Sequence, residues 1–195
     1  NAGAVPHLIQ LMTHADSRVA ARASRLVSTV CPGDVSNSEQ LYESGGLVML
    51  AEGLVSGDDR ARVQVVSALS QLSADPVQAA AIVDAGCVSP LLELLEHPNQ
   101  ELQAYAAISF GNLTSSGALP PEALTQPALL PHVVSMLGSS NALALGPAAA
   151  AVASMVAQPH LRVAIHRHGG VAPLVALLVA EAEVAHHAVQ AVAQF

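Results

Sequence analysis

The sequence predicts an all-α solenoid, built from one helical unit that is repeated about five times. An apolar segment recurs along the chain, and its first branched apolar residue falls at Val5, Leu47, Val88, Leu130 and Val171. The intervals between these positions are 42, 41, 42 and 41 residues, and such a regular period marks a repeat protein. Ala and Leu dominate the segments, which favours helix, while Gly and Pro stand between them, where the chain must turn.

Each unit after the first opens with a short helical segment. These segments are EQLYES (39–44), PVQAAAIVDA (76–85), PEALTQ (121–126) and HLRVAIHRH (160–168). In three of the units a break with glycine follows, at Gly45-Gly46, Gly86 and Gly169-Gly170. Glycine permits a sharp turn of the backbone, so we expect a second helix to start there in a new direction.

The second helix of a unit is short and the third is longer. The second is apolar at positions i, i+3, i+4 and i+7, as in Val88, Leu91, Leu92 and Leu95. Third helices are predicted at 16–30, 59–72, 99–113, 144–156 and 183–194. One unit cannot bury its apolar face alone, so the units stack into a single domain over residues 1–195. Their approximate bounds are 1–37, 38–75, 76–118, 119–158 and 159–195.

This three-helix unit resembles the armadillo repeat, most clearly over residues 76–114. The resemblance implies a right-handed superhelix in which the third helices line a long concave groove. The chain opens at the second helix of its first unit, and neither end carries an obvious polar cap. We therefore expect it to be part of a longer solenoid or of a multi-subunit assembly.

The resemblance also implies which positions face the groove. In peptide-binding armadillo proteins, an asparagine of the third helix holds the backbone of the partner. The matching positions here are Thr29, Gln71, Asn112, Ser154 and Gln194. Importin-alpha-type proteins place tryptophan one turn earlier, where this chain has Arg25, Ser67, Ile108, Ala150 and Gln190. Because the chain has no Trp, a receptor for nuclear-localisation signals is not expected.

The first three units supply the candidate partner-binding residues. Arg18, Arg22, Arg25 and Thr29 are spaced by 4, 3 and 4 and share one helical face. The face continues through Arg60, Gln64, Ser67 and Gln71, and then through Tyr105, Ile108 and Asn112. One interpretation is that the arginines bind an acidic segment, extended or helical, through their planar guanidinium groups. The other is that they pair with Asp16, Asp58 and Asp59 on a solvated face, and both interpretations are open.

Residues 123–161 contain no Asp, Glu, Lys or Arg. A transmembrane span is not expected, because Pro127, Pro131, Pro147 and Pro159 interrupt the stretch. We expect an apolar contact with another subunit or another part of the chain, with Leu145, Val152 and Met155 as the candidate packing face. The alternative is an alanine-rich composition that leaves a plain solvated surface.

Composition and motifs exclude several function classes. The formal charge is −8 and the seven basic residues are all Arg, so nucleic acid is not an expected partner. The nine His form no zinc-ligand pattern, and neither a GK[ST] phosphate loop nor a GxSxG motif occurs. We therefore expect no catalytic residues, no metal and no cofactor. The two Cys lie far apart, which indicates a reducing compartment.

The function predicted from the sequence is that of a non-enzymatic scaffold or adaptor that binds a protein segment along its groove. Two alternatives stay open. The chain is either a structural subunit of a cytoskeletal or axonemal assembly, or the substrate-binding region of a multidomain ubiquitin ligase. The expected location is the cytoplasm, with a cytoskeletal or ciliary site for the structural subunit.

Overall fold

The computed structural model describes residues 3–12, 14, 16–56, 58–119, 129–139 and 141–195. Within this part of the chain there are thirteen helices and no strand, so the all-α prediction is confirmed. The helices are α1 (Ala4–Met12), α2 (Ser17–Val30), α3 (Val35–Glu43), α4 (Gly46–Ser56), α5 (Asp59–Leu72), α6 (Pro76–Asp84), α7 (Val88–Leu94), α8 (Gln100–Ser115), α9 (Leu129–Met136), α10 (Ala142–Val156), α11 (Pro159–Arg167), α12 (Val171–Leu177) and α13 (Ala182–Val192).

The third helices of the units form the spine of the solenoid. In chain order they are α2, α5, α8, α10 and α13, and each packs against the next. Second helices (α1, α4, α7, α9 and α12) pack on the third helix of their own unit. The described first helices are α3, α6 and α11, whereas the segment predicted at 121–126 lies outside the described residues. The predicted armadillo-type solenoid is therefore confirmed.

Glycine breaks separate first from second helices, as predicted. Gly45, Gly86 and Gly169 have φ values of +71°, +80° and +79°. This left-handed conformation is costly for residues with a side chain, so glycine fixes the direction of the turn.

Aspartate and asparagine set where several helices begin. Asp34 precedes α3, and its carboxylate accepts a hydrogen bond from the Asn37 backbone N–H at 2.9 Å. The first helix of unit two therefore begins at Val35, ahead of the predicted start at 39 and of the predicted unit boundary at 38. Asp58, Asp75 and Asn99 cap α5, α6 and α8 in the same way.

One aliphatic core runs from Val5 to Ala191, with Phe110 as a fully enclosed aromatic side chain. Cys31 and Cys87 are free and buried in it. Burial raises the pKa of the Cys31 thiol to about 11 and that of the Cys87 thiol to about 12. Both thiols therefore stay protonated and serve as apolar packing groups.

The predicted packing face on α10 is not available to another subunit at two of its three residues. Val152 and Met155 are fully buried in the core of the chain itself, and Leu145 is half-buried and packs on the same core. The reason is the central position of α10, which packs against α8, α9, α11 and α13. Its small side chains permit this, since a Cβ on Gly111 of α8 would lie only 3.0 Å from the carbonyl oxygen of Pro147. Much of the uncharged stretch is thus core, and residues 123–128 lie outside the described part.

No described helix is long and apolar enough to cross a membrane by itself. The pair α6 and α7 passes such a test by length and composition only, and the two helices meet at a bend of 94°.

Candidate functional site

The predicted arginine face of α2 exists and is exposed. The helix is capped by Asp16, whose carboxylate accepts a hydrogen bond from the Arg18 backbone N–H at 2.9 Å. Arg22, Arg25 and Thr29 follow on the same exposed face. The Thr29 hydroxyl donates to the Arg25 carbonyl oxygen at 2.9 Å, so it is already engaged within the helix.

Arg18 is held by its own capping residue. Its Nε and Nη2 lie 3.1 Å and 2.9 Å from the two carboxylate oxygens of Asp16. Hydrogen bonds from Arg18 lower the pKa of the Asp16 carboxyl to about 2, and the same pairing raises the pKa of Arg18. For this one arginine, pairing on a solvated face is what the structure shows.

The other three arginines of the face have no such partner. Arg22, Arg25 and Arg60 are exposed, and none of them makes a hydrogen bond or ion pair through its side chain within the described residues. Asp58 accepts from the Ala61 backbone N–H instead, at 2.8 Å. Asp59 lies 3.8 Å from Arg62 and 3.6 Å from His97, so it is drawn away from Arg60. Three guanidinium groups therefore remain available on adjacent helices, because α2 packs on α5.

Polar side chains continue this face along α5. Gln64 and Ser67 are half-buried and Gln71 is exposed. Their amide and hydroxyl groups can both donate and accept, which suits the main chain of an extended peptide.

The third helix of unit three contributes more to the fold than was expected. Tyr105, Ile108 and Asn112 are half-buried. The Asn112 side-chain amide donates to the Ser70 carbonyl oxygen and to the Ser73 hydroxyl, both at 3.1 Å. Both amide hydrogens are then used between units two and three, so Asn112 can offer a partner only its Oδ1.

A cavity of about 610 Å³ continues the face at the other end of the solenoid. It lies between α10 and α13, and its lining includes Ala150, Ser154, His187, Gln190 and Gln194. Four of them, Ala150, Ser154, Gln190 and Gln194, stand at the groove-facing positions that the family resemblance implies, although the sequence offered no reason to expect a partner contact there. His187 is the addition, and its place one turn before Gln190 on the same helix is the signal that could have identified it. The cavity carries no charged carboxylate or guanidinium in its described lining.

No three His, Cys, Asp or Glu side chains lie close enough to hold a metal ion in the part of the chain that the structure describes. The densest histidine pair, His186 and His187, stacks edge to face at 5.6 Å between ring centroids. His186 Nε2 lies 3.0 Å from the Gln190 amide nitrogen, so its contacts are those of a helix surface.

The comparisons with known proteins agree on armadillo repeats. Residues 75–115 match the armadillo/beta-catenin-like repeat. Vacuolar protein 8 of Candida albicans is 26% identical over 113 residues, which are 57% of this chain and 19% of that protein. The chain therefore spans less than a quarter of the length of this curated relative.

Two solved structures share the whole fold. An engineered protein is 30% identical, with 98% of this chain and 79% of that chain covered and a TM-score of 0.87. A computationally designed armadillo repeat protein for modular peptide recognition is 25% identical, with 97% and 81% covered and a TM-score of 0.85.

Proposed function

Because the chain belongs to the armadillo repeat family, we propose that it is a non-enzymatic scaffold whose third helices bind a segment of a partner protein. The observation that carries this proposal is the set of three exposed, unpaired guanidinium groups of Arg22, Arg25 and Arg60. They stand on neighbouring third helices of a chain whose formal charge is −8. In such a chain, a local group of arginines is a feature that a partner can recognise.

The partner segment that fits this face is acidic at one end. Guanidinium groups bind carboxylates through paired, parallel hydrogen bonds, so Arg22, Arg25 and Arg60 would hold aspartate or glutamate side chains. Gln64, Ser67 and Gln71 lie in the same row and would bond the peptide main chain. The surface between α10 and α13 carries no carboxylate or guanidinium group in its described lining. The part of the segment that binds there would therefore carry small or apolar residues.

Relatives support a peptide ligand in general terms. The designed protein that shares this fold was made for modular peptide recognition, and it is 25% identical to this chain. The exposed arginines would make this chain prefer acidic peptides.

We favour an exchangeable adaptor over a permanently buried structural subunit. The structural alternative depended in part on an outward apolar face, but Val152 and Met155 lie in the core of the chain. The free, buried Cys31 and Cys87 fit a reducing compartment, and we propose the cytoplasm as the location.

Charge reversal tests the proposal. We expect the Arg22→Glu, Arg25→Glu double variant to bind a fluorescent glutamate–serine repeat peptide more weakly than the wild type, by about tenfold or more. Two charged hydrogen-bond donors are lost, and the glutamates that replace them repel the glutamates of the peptide. Fluorescence anisotropy measures the affinity. The single variants Arg22→Glu and Arg25→Glu are each compared with Arg167→Glu, which reverses one exposed arginine at the end of α11, outside this face. Equal binding by the double variant and the wild type would refute the arginine contact.

A further inference from the structure

A second groove lies between the first helices α3 and α6, which we call the first-helix groove. It is formed by residues 33–43 and 75–84 and has a volume of about 650 Å³. It shares no residue with the third-helix face described above. Nothing in the proposed function uses it.

The lining of the first-helix groove is acidic. Its charged residues are all carboxylates, namely Asp34, Glu39, Glu43, Asp75 and Asp84. Asp34 and Asp75 cap α3 and α6, so they are fixed at the helix starts. Glu39, Glu43 and Asp84 are exposed, and their carboxylates take part in no hydrogen bond or ion pair within the described residues.

Large apolar side chains stand beside these carboxylates. Val35, Tyr42 and Val77 are 73%, 60% and 76% exposed, and all three line the groove. Ala80 and Ala81 of α6 complete the lining between them. The free energy falls when a partner covers exposed apolar groups. Carboxylates next to apolar side chains therefore favour an amphipathic ligand.

Gln78 gives an independent sign that the groove is incomplete. It lines the groove and is only 4% exposed, yet its Oε1 accepts no hydrogen bond from any residue that the structure describes. Buried acceptors in native proteins are nearly always satisfied, and one that is not calls for a missing donor. Oε1 is enclosed as the side chain stands, so the amide would have to turn towards the groove for a ligand N–H group to supply this donor.

We propose that the first-helix groove binds a basic segment of a partner protein, with arginine or lysine next to an apolar residue. The cationic groups pair with Glu39, Glu43 and Asp84, while the apolar residue covers Val35, Tyr42 and Val77. An N–H group of the segment bonds the Gln78 amide. A single metal ion is a poorer fit, because no three carboxylates come together as metal ligands in the described part of the chain.

One surface of the scaffold would take an acidic segment and the other a basic one. The two surfaces can then be occupied together, and each can be disabled without the other.

The test uses a fluorescent peptide in which arginine and leucine alternate, with its glutamate–leucine counterpart as the negative probe. We expect the arginine peptide to bind the wild-type chain, and Glu39→Gln with Glu43→Gln to weaken it by about tenfold, the effect of losing two exposed charge pairs. The matched control is Glu52→Gln with Glu93→Gln, which changes net charge equally at two exposed carboxylates outside the groove. Equal weakening by both double variants would show non-specific attraction and overturn the proposal.

A Gln78→Leu variant tests the amide contact. We expect it to melt at or above the wild-type temperature, because the unpaired acceptor is gone, and to bind the arginine peptide more weakly. Undiminished binding by this folded variant would contradict the role of Gln78. Sedimentation velocity adds a further check. A wild-type dimer that the Glu39→Gln, Glu43→Gln variant dissociates would identify a second copy of this chain as the occupant and overturn the assignment to another protein.

Discussion

Asp16 has two roles that conflict with the simplest interpretation of the arginine face. Its carboxylate caps α2 by accepting from the Arg18 backbone N–H, and it also holds the Arg18 side chain. Both contacts favour the charged form of the carboxyl, so its pKa falls to about 2 from a usual value of 3.8. Arg18 is therefore a positioning partner of Asp16 and is less available to a ligand than Arg22 or Arg25.

The shifted pKa of Asp16 predicts how stability depends on pH. Between 3.8 and about 2 the unfolded chain binds more protons at this group than the folded chain does, so stability rises with pH there. The contribution of Asp16 is fully present above 3.8 and is lost as the pH falls towards 2. We expect the melting-temperature difference between the wild type and Asp16→Ala to shrink over that window.

Thermal melting followed by circular dichroism measures this difference at each pH. Glu52→Ala is the control, because Glu52 is exposed and its carboxylate makes no hydrogen bond or ion pair among the described residues. A difference for Asp16→Ala that is the same at neutral pH and near pH 2 would be evidence against the two contacts.

At the scale of helices, side chains in repeated positions join one element to the next. Arg62 Nε donates to the Leu54 carbonyl oxygen at 2.7 Å, and Gln103 Nε2 donates to the Leu95 carbonyl oxygen at 2.9 Å. Arg62 and Gln103 occupy corresponding places in units two and three, and each satisfies a carbonyl at the end of a second helix. Different side chains therefore perform the same task in successive units.

Asn112 joins two third helices, and its removal should destabilise the solenoid. We expect Asn112→Ala to lower the free energy of unfolding by about 1–3 kcal/mol, since its hydrogen bonds to Ser70 of α5 and to Ser73, just after α5, are lost and the buried Ser73 hydroxyl loses a partner. Urea denaturation followed by circular dichroism gives this value. Gln71→Ala is the control on the same face and should change stability little, because Gln71 is exposed. Equal midpoints for both variants would contradict the bridging role.

The sequence was sufficient for features that depend on local pattern. The glycine breaks at Gly45, Gly86 and Gly169 follow from the chain turning between apolar segments, and the α2 arginines follow from a spacing of 4, 3 and 4. The buried and exposed faces of α10 could not be predicted in this way, because the side chains of that helix are apolar or small on all of its faces. Only the packing of α8 and α13 around it shows that Val152 and Met155 face the core.

Contacts between units were also beyond local pattern. Asn112 stands at the position where the family resemblance implies a clamp for a partner, yet it bonds Ser70 and Ser73. These partners come from the preceding unit and are set by how closely α8 packs on α5. The first-helix groove is a similar case, because Glu39 and Glu43 belong to α3 while Gln78 and Asp84 belong to α6.

Over the whole molecule, stacking of the repeats lines up the equivalent positions of successive units along one surface. Third helices that stack in order put Arg22 and Arg25 on α2 and Arg60 on α5, which packs against α2, so the unpaired guanidinium groups belong to the first two units. The carboxylates of α3 and α6 line a separate groove. A chain with a formal charge of −8 thus presents a basic row and an acidic groove, and we propose that the two surfaces bind oppositely charged segments.

We propose above all that an acidic segment binds along the third helices at the arginine end. The most direct measurement is a titration of the ¹⁵N-labelled chain with the glutamate–serine peptide, followed by amide chemical shifts. We predict that the shifts concentrate on α2 and α5 around Arg22, Arg25 and Arg60, and that α3 and α6 stay unchanged. Shifts confined to α3 and α6, or spread evenly over the chain, would show that the acidic segment does not bind at the arginines of α2 and α5.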